Sequence, residues 1–170
     1  MLAASVLVAT QLAPGTAPAD RYFGKLKMSA LRIRYETMQL RRRYETHELL
    51  PDQTLHLLEL TQDAYEQWAM LYPKDPWLAS TGYAMAELYA ELPGPEARNR
   101  ATGLFLFVKS RYPTTSYARQ SRDALHRGVA VKPQPAWALA PSPSAPSAAP
   151  SSPAPSPSSP IPSPEPSSTP

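Results

Sequence analysis

Three histidines, fourteen acidic residues and no cysteine bound the chemistry open to this 170-residue chain. His47, His56 and His126 form no i,i+4 pair and sit in no metal-binding motif with acids, so they read as exposed or interfacial side chains. Glu87 and Glu91 lie one helical turn apart, a spacing that places two carboxylates on one face. General acid–base work would also need a pocket and shifted pKa values, and the surrounding sequence points instead to a solvated helix face. There is no Gly-rich phosphate loop and no nucleophile elbow. Lack of cysteine removes disulfides, zinc–thiolate sites, thiol catalysis and a lipid-modified N-terminal Cys. The expectation is a non-enzyme with no catalytic residues, no cofactor and no metal.

The remaining chemistry is charge. Lys25, Lys27, Arg41, Arg42 and Arg43, with Arg32 and Arg34, make the first helical stretch basic and are candidates for anionic contact. Against a charged lipid surface each base would contribute about 1 kcal/mol, and weak, salt-sensitive nucleic-acid binding is the other reading. Consecutive arginines point around a helix and form no single stripe. The net charge of +3 also hides a segregated order. Residues 20–50 carry eight bases against four acids, 51–96 one base against eight acids, and 97–132 eight bases against one acid. Helices packed in sequence can match these charges internally, so the basic excess points only weakly to an external acidic partner. Nucleic acid is not expected, and it would conflict with export.

The elements that must position these residues are marked by punctuation. One helix is expected over about Asp20–Glu48, with Tyr22, Leu26, Ala30, Ile33, Thr37 and Leu40 on one stripe and Met28, Leu31, Tyr35 and Met38 widening it. Gly24 would cost up to about 1 kcal/mol inside it and could displace its start. Pro51 opens a second helix to about Tyr72, and Asp75-Pro76 caps a third over about Trp77–Leu92. Pro93-Gly94-Pro95 separates a fourth, about Glu96–Tyr112. A fifth starts at Thr114, Thr115 or Ser116 and ends near Arg127, with Gly128 in the C-terminal position. No segment alternates as a strand. The fold class is all-α.

Both ends differ from this middle. Leu2–Leu12 is an apolar run of signal-peptide length, followed by the small-x-small triplet Ala17-Pro18-Ala19, although no Lys or Arg precedes it. Fourteen of the 22 prolines fall between Pro133 and Pro170, among Ser and Ala, with Glu165 the single charge. Such a segment cannot bury enough apolar surface to offset ordering and is expected to be disordered, with polyproline-II character. The organisation is a signal peptide over 1–19, a helical domain over 20–130 and a Pro/Ser/Ala-rich tail over 131–170.

Two stretches repeat. Ala69-Met70-Leu71-Tyr72-Pro73 and Lys109-Ser110-Arg111-Tyr112-Pro113 each end a helix on Tyr-Pro, each precedes a polar turn, and each is followed by Trp77-Leu78 or Tyr117-Ala118. Their 40-residue offset is that of helix-pair solenoids. These residues resemble the tetratricopeptide repeat (TPR), in the periplasmic variety of BamD-like and Tol-Pal-associated proteins. In the best-matched unit Ala86 and Tyr89 match the first helix, while Ala101, Phe105 and Pro113 match the second at spacings of four and eight. Val108 departs from the family's small residue, and the period exceeds the usual 34. The resemblance implies a short right-handed α-α superhelix of about five helices, or two to two-and-a-half hairpins. Tyr65, Trp68, Tyr72, Pro73, Trp77, Ala86, Tyr89, Ala101, Phe105, Pro113 and Tyr117 are then the repeat-packing set. It further implies a non-catalytic adaptor holding a protein or peptide segment in a helical groove; the basic first helix keeps open the alternative of a peripheral binder of anionic membrane or polymer, and the small number of repeats leaves self-association through an uncapped end as an option. Export to the periplasm or cell envelope follows if the N-terminal run is a working signal, and a cytoplasmic adaptor if it is not.

Overall fold

Capping residues decide where the helices begin and end. The computed structural model describes residues 15–139, which form six α-helices and no strand. The apolar run at 2–12 and most of the Pro/Ser/Ala segment lie outside the described residues. The helices are α1 (Ala30–Glu45), α2 (Pro51–Leu71), α3 (Leu78–Glu91), α4 (Pro95–Arg111), α5 (Ser116–Arg127) and the single turn α6 (Ala136–Leu139). The Ser29 hydroxyl accepts the Arg32 N–H at 3.3 Å, and the Thr115 hydroxyl accepts the Ala118 N–H at 3.1 Å. Pro51 and Pro95 occupy first turns, where their missing N–H costs nothing. Gly128, at φ 78°, ends α5.

The first helix is shorter than its apolar pattern suggests. Residues 20–29 form a tight turn in which Phe23 and Met28 exchange backbone hydrogen bonds, each 2.8 Å long. Gly24 (φ 68°) and Lys27 (φ 48°) take left-handed conformations there, and these end helical continuity. The turn is strapped onto α2. The Gly24 N–H donates to Gln67 Oε1 at 2.9 Å and the Lys25 N–H to Asp63 Oδ2 at 3.0 Å. A side chain at Gly24 would fall within 2.7 Å of the Ala64 backbone, so this approach needs glycine. Phe23 drops into the core edge-on to Tyr72. Tyr22 and Leu26, expected on the core stripe, are exposed.

Helices pack as successive pairs, α1 on α2 and α3 on α4, with α5 on α4. α3 sits centrally, touching α1, α2, α4 and α5. This arrangement is compatible with a helical repeat, and the odd-numbered helices are neighbours. The core runs through Ile33 and Leu40, Leu58, Tyr65 and Trp68, Leu78, Met85, Leu88 and Tyr89, then Ala101, Phe105 and Val108. Burial of each large side chain contributes about 1.5–3 kcal/mol. Thr54 and Thr61 share the α2 core stripe because their hydroxyls donate to carbonyls four residues back, at Leu50 and Leu57.

Two small residues set helix spacing. Ala86 and Ala101 are fully buried. Gly82 is more stringent, because a Cβ there would collide with the Tyr65 hydroxyl and come within 3.0 Å of Val108. Tyr65 thus wedges between α2, α3 and α4, and its hydroxyl donates to the Leu78 carbonyl at 3.0 Å.

Past residue 130 the chain stays on the fold for the described residues. The Gly94 N–H donates to the Lys132 carbonyl at 3.0 Å, and Trp137 stacks on His47 with ring centroids 4.2 Å apart.

Candidate functional site

Asp75 organises the turn between the two helix pairs. Its carboxylate is buried and accepts three N–H groups: Trp68 Nε1 at 3.1 Å, the Trp77 amide at 3.1 Å and the Ala17 amide at 2.8 Å. Asp75 does not cap α3 directly, since the N-cap position is Trp77 and carries no side-chain cap; it holds the turn that leads into α3 and also anchors α2 and the N-terminal segment.

The expected packing residues divide by depth. Tyr65, Trp68, Ala86, Tyr89, Ala101 and Phe105 are buried, Tyr72, Pro73 and Tyr117 are half-buried, and Pro113 is exposed. Trp77 also departs from a core position. It is 47% exposed, and the Arg34 guanidinium lies 3.7 Å from its ring centroid.

Leu31, Tyr35 and Met38 do not widen the buried stripe of α1. They lie on its other side, 71%, 51% and 66% exposed. The stripe Ile33–Thr37–Leu40 points inward, and residues offset from it by two positions must point outward. α1 therefore carries two apolar stripes, one of them uncovered among the described residues. Met38, Trp77 and Tyr117 border a hollow of about 240 Å³ across α3, and Leu31, Arg34 and Trp77 border a second of about 170 Å³ beside residues 16–19.

The five candidate anion-contact residues are not brought together. Lys25 and Lys27 belong to the strap over α2 and not to a basic helix. Arg41 faces α3, with a guanidinium nitrogen 3.5 Å from Glu87 and 3.6 Å from Glu91. Arg43 pairs with Glu48 at 3.8 Å, and Arg42 is exposed. Arg100 on the basic third segment bonds Glu59 on the acidic second at 2.9 Å. The ion pairs between helices, Arg41 with Glu87 and Glu91 and Arg100 with Glu59, each join a basic segment to the acidic one, as the charge order anticipates.

Glu87 and Glu91 differ from a solvated face. With Tyr83, Arg127 and Lys132 they line a hollow of about 420 Å³. Burial raises the Glu91 carboxyl above its ordinary value, and Arg41 opposes that rise. Burial, reinforced by a hydrogen bond to Glu87, pushes the Tyr83 phenol up to about 12. The two carboxylates share one guanidinium, which makes them an inter-helix bridge. Among the described residues no cluster of three His, Asp or Glu could hold a metal ion, and no helix is long and apolar enough to cross a membrane.

A groove of about 620 Å³ lies between α2 and α4. Glu59 meets Arg100 near one end, and Tyr65 meets Phe107 a turn or two further along both helices, so α2 and α4 run parallel beside it. Its floor is Tyr65, Ala69 and Leu104, and Met70 and Phe107 form its flanks. This groove, the Gly82 contact and the exposed α1 stripe went unread in the sequence. All three depend on which helices become neighbours. Compared with known proteins, the chain matches no family model, no curated protein and no solved structure.

Proposed function

We propose that this chain is a non-catalytic protein-interaction module, a TPR-like adaptor of the bacterial cell envelope. The observation that carries this reading is the second apolar stripe of α1. A helix apolar on two sides is normally covered on both, and a contiguous exposed apolar patch marks an interaction site. Leu31, Tyr35 and Met38 recur at steps of four and three, which gives two turns of contact for a partner helix or extended segment. Trp77 and its stacked Arg34 supply an aromatic–arginine anchor of the kind that dominates interface energetics. The packed helix pairs and the buried small residues Ala86 and Ala101 support the TPR-like reading. Export rests on the apolar run at 2–12; cleavage after Ala19 would remove the Ala17 amide that Asp75 accepts, so N-terminal sequencing of the mature protein tests both export and the place of cleavage.

The interaction reading is tested by recovery from envelope extracts with wild type and with Tyr35→Ser/Met38→Ser. Both substitutions lie on exposed positions, so the fold survives. A partner retained by wild type and lost by the double variant is the expected result. Equal recovery by both proteins overturns the assignment to this stripe.

A further inference from the structure

The exposed stripe of α1 has a definite length and a definite neighbour. Leu31, Tyr35 and Met38 span about 10 Å of helix axis at 1.5 Å per residue. Arg42, one turn further on, closes the stripe with an exposed charge. The charges beside it are already engaged, since Arg32 pairs with Glu36 at 3.0 Å and the Arg34 guanidinium covers the Trp77 ring. An occupant therefore needs no charge of its own. It must supply apolar side chains over about two helical turns.

The chain's own N-terminal side is delivered to this place. The Ala17 N–H donates to the buried Asp75 carboxylate at 2.8 Å. Residues 16–19 border the same hollow as Leu31, Arg34 and Trp77. Upstream of that anchor stands the run Leu2–Leu12, eight of whose eleven residues are apolar and none charged. Only Ala13-Pro14-Gly15 separates the run from Thr16. Eleven residues reach about 36 Å when extended and about 16 Å as a helix, so either form covers the stripe. So short a link raises the effective concentration of the run at the stripe to about the millimolar range. The Pro/Ser/Ala segment is a poorer occupant. From residue 140 onward Ile161 is its one large aliphatic side chain, and it is entered from Trp137, which stacks on His47 beyond the C-terminal end of α1.

We infer that, in the chain that still carries it, the apolar run 2–12 folds back over Leu31, Tyr35 and Met38 and occupies the stripe in cis. The inference rests on the reading of that stripe as an interaction surface and assigns its regulation. A partner reaches the stripe once the run is removed or displaced. Cleavage after Ala19 would take cover and anchor together, because Ala17 leaves with the run.

A chain without cysteine makes the test direct. Ser5→Cys gives the full chain a single site for a nitroxide label, with mass confirming that Leu2–Leu12 is retained. Backbone amide NMR is expected to show most of the intensity lost at Leu31, Tyr35 and Met38, restored when the nitroxide is reduced, and Gly103 on α4 unaffected. A run that is only tethered would broaden Leu31 whatever the stripe carries, so the same label is placed in Tyr35→Ser/Met38→Ser, where the losses should disappear. Labelled chain mixed with unlabelled, isotope-enriched chain should show none. Full intensity at the stripe, equal loss at Gly103, or losses unchanged in the double variant would each overturn the inference. Losses in the mixed sample would overturn it too, by making a second copy the occupant. Failure here leaves the interaction reading standing, because a chain beginning at Thr16 tests partner recovery without the run. Equal recovery by that chain and its Tyr35→Ser/Met38→Ser form would instead remove the interaction reading, while the intensity losses still report contact in cis.

Discussion

Replacing Trp68 tests the packing of the whole first helix pair against α3. The indole is fully buried on α2, meets Tyr65 edge-on at 6.2 Å and donates its N–H to Asp75 Oδ2 at 3.1 Å. Trp68→Ala removes the aromatic volume and leaves a cavity, at a cost of about 3–5 kcal/mol. Trp68→Phe keeps one aromatic ring and most of the volume, and loses the N–H together with the carbons of the second ring. A hydrogen bond to an ionised group is worth about 1.5–3 kcal/mol. Asp75 keeps the Ala17 and Trp77 amides, so the carboxylate is not stranded and the lower figure, about 1.5 kcal/mol, applies. Total stability of a domain this size is about 5–15 kcal/mol, so the alanine variant approaches marginal stability while the phenylalanine variant stays measurable. Urea denaturation followed by helical circular dichroism gives both values from midpoint and slope. If Trp68→Ala costs under about 1 kcal/mol, the indole is not in the core and the packing account fails. If Trp68→Phe costs as much as Trp68→Ala, volume is not the deciding term.

Three further outcomes follow from the same contacts. Gly82→Ala forces a Cβ into the Tyr65 hydroxyl and should destabilise by about 1–3 kcal/mol despite alanine's better helix propensity; a neutral or stabilising effect in the urea assay would contradict the wedge. A chain beginning at Asp20 lacks the Ala17 amide that donates to Asp75, and should be less stable than one beginning at Thr16 by about 1.5 kcal/mol; equal melting would make the strand of chain before Asp20 dispensable. Alkaline pH should unfold the protein. Burial raises the phenols of Tyr65, Tyr83 and Tyr89 above their ordinary value of 10.0, Tyr83 to about 12. A raised folded-state pKa gives stability that is whole below pH 10 and lost as pH climbs through about 12, because the unfolded chain releases its protons first. Tyr83→Phe should flatten that fall, and tyrosine absorbance tracked alongside circular dichroism should show ionisation and unfolding together.

Helix existence and order were legible in the sequence because the signals are local. Pro51, Pro95, Asp75, Thr115 and Gly128 act through their own φ angles and their own donors or acceptors, so four of the five expected helices end within about a residue of their observed limits. The error at α1 is instructive. Apolar residues continue at helical spacing back to Tyr22, but Gly24 and Lys27 adopt left-handed conformations that only the fit against Ala64, Asp63 and Gln67 makes worthwhile.

Periodicity counts apolar residues without saying which neighbour covers them. The α1 pattern therefore could not separate Ile33, Thr37 and Leu40, which point inward, from Leu31, Tyr35 and Met38, which do not. Charge segregation predicted that basic and acidic helices would meet, and Arg41 with Glu87 and Arg100 with Glu59 do so. It could not name the pairs, because partners distant along the chain are chosen by helix register. Composition and punctuation by themselves determined an all-helical chain of successive pairs. Only tertiary packing decided that Gly82 serves Tyr65 while Gly103 opens a groove. The two glycines look alike in sequence, and they differ solely in whether another helix fills the space a side chain would take.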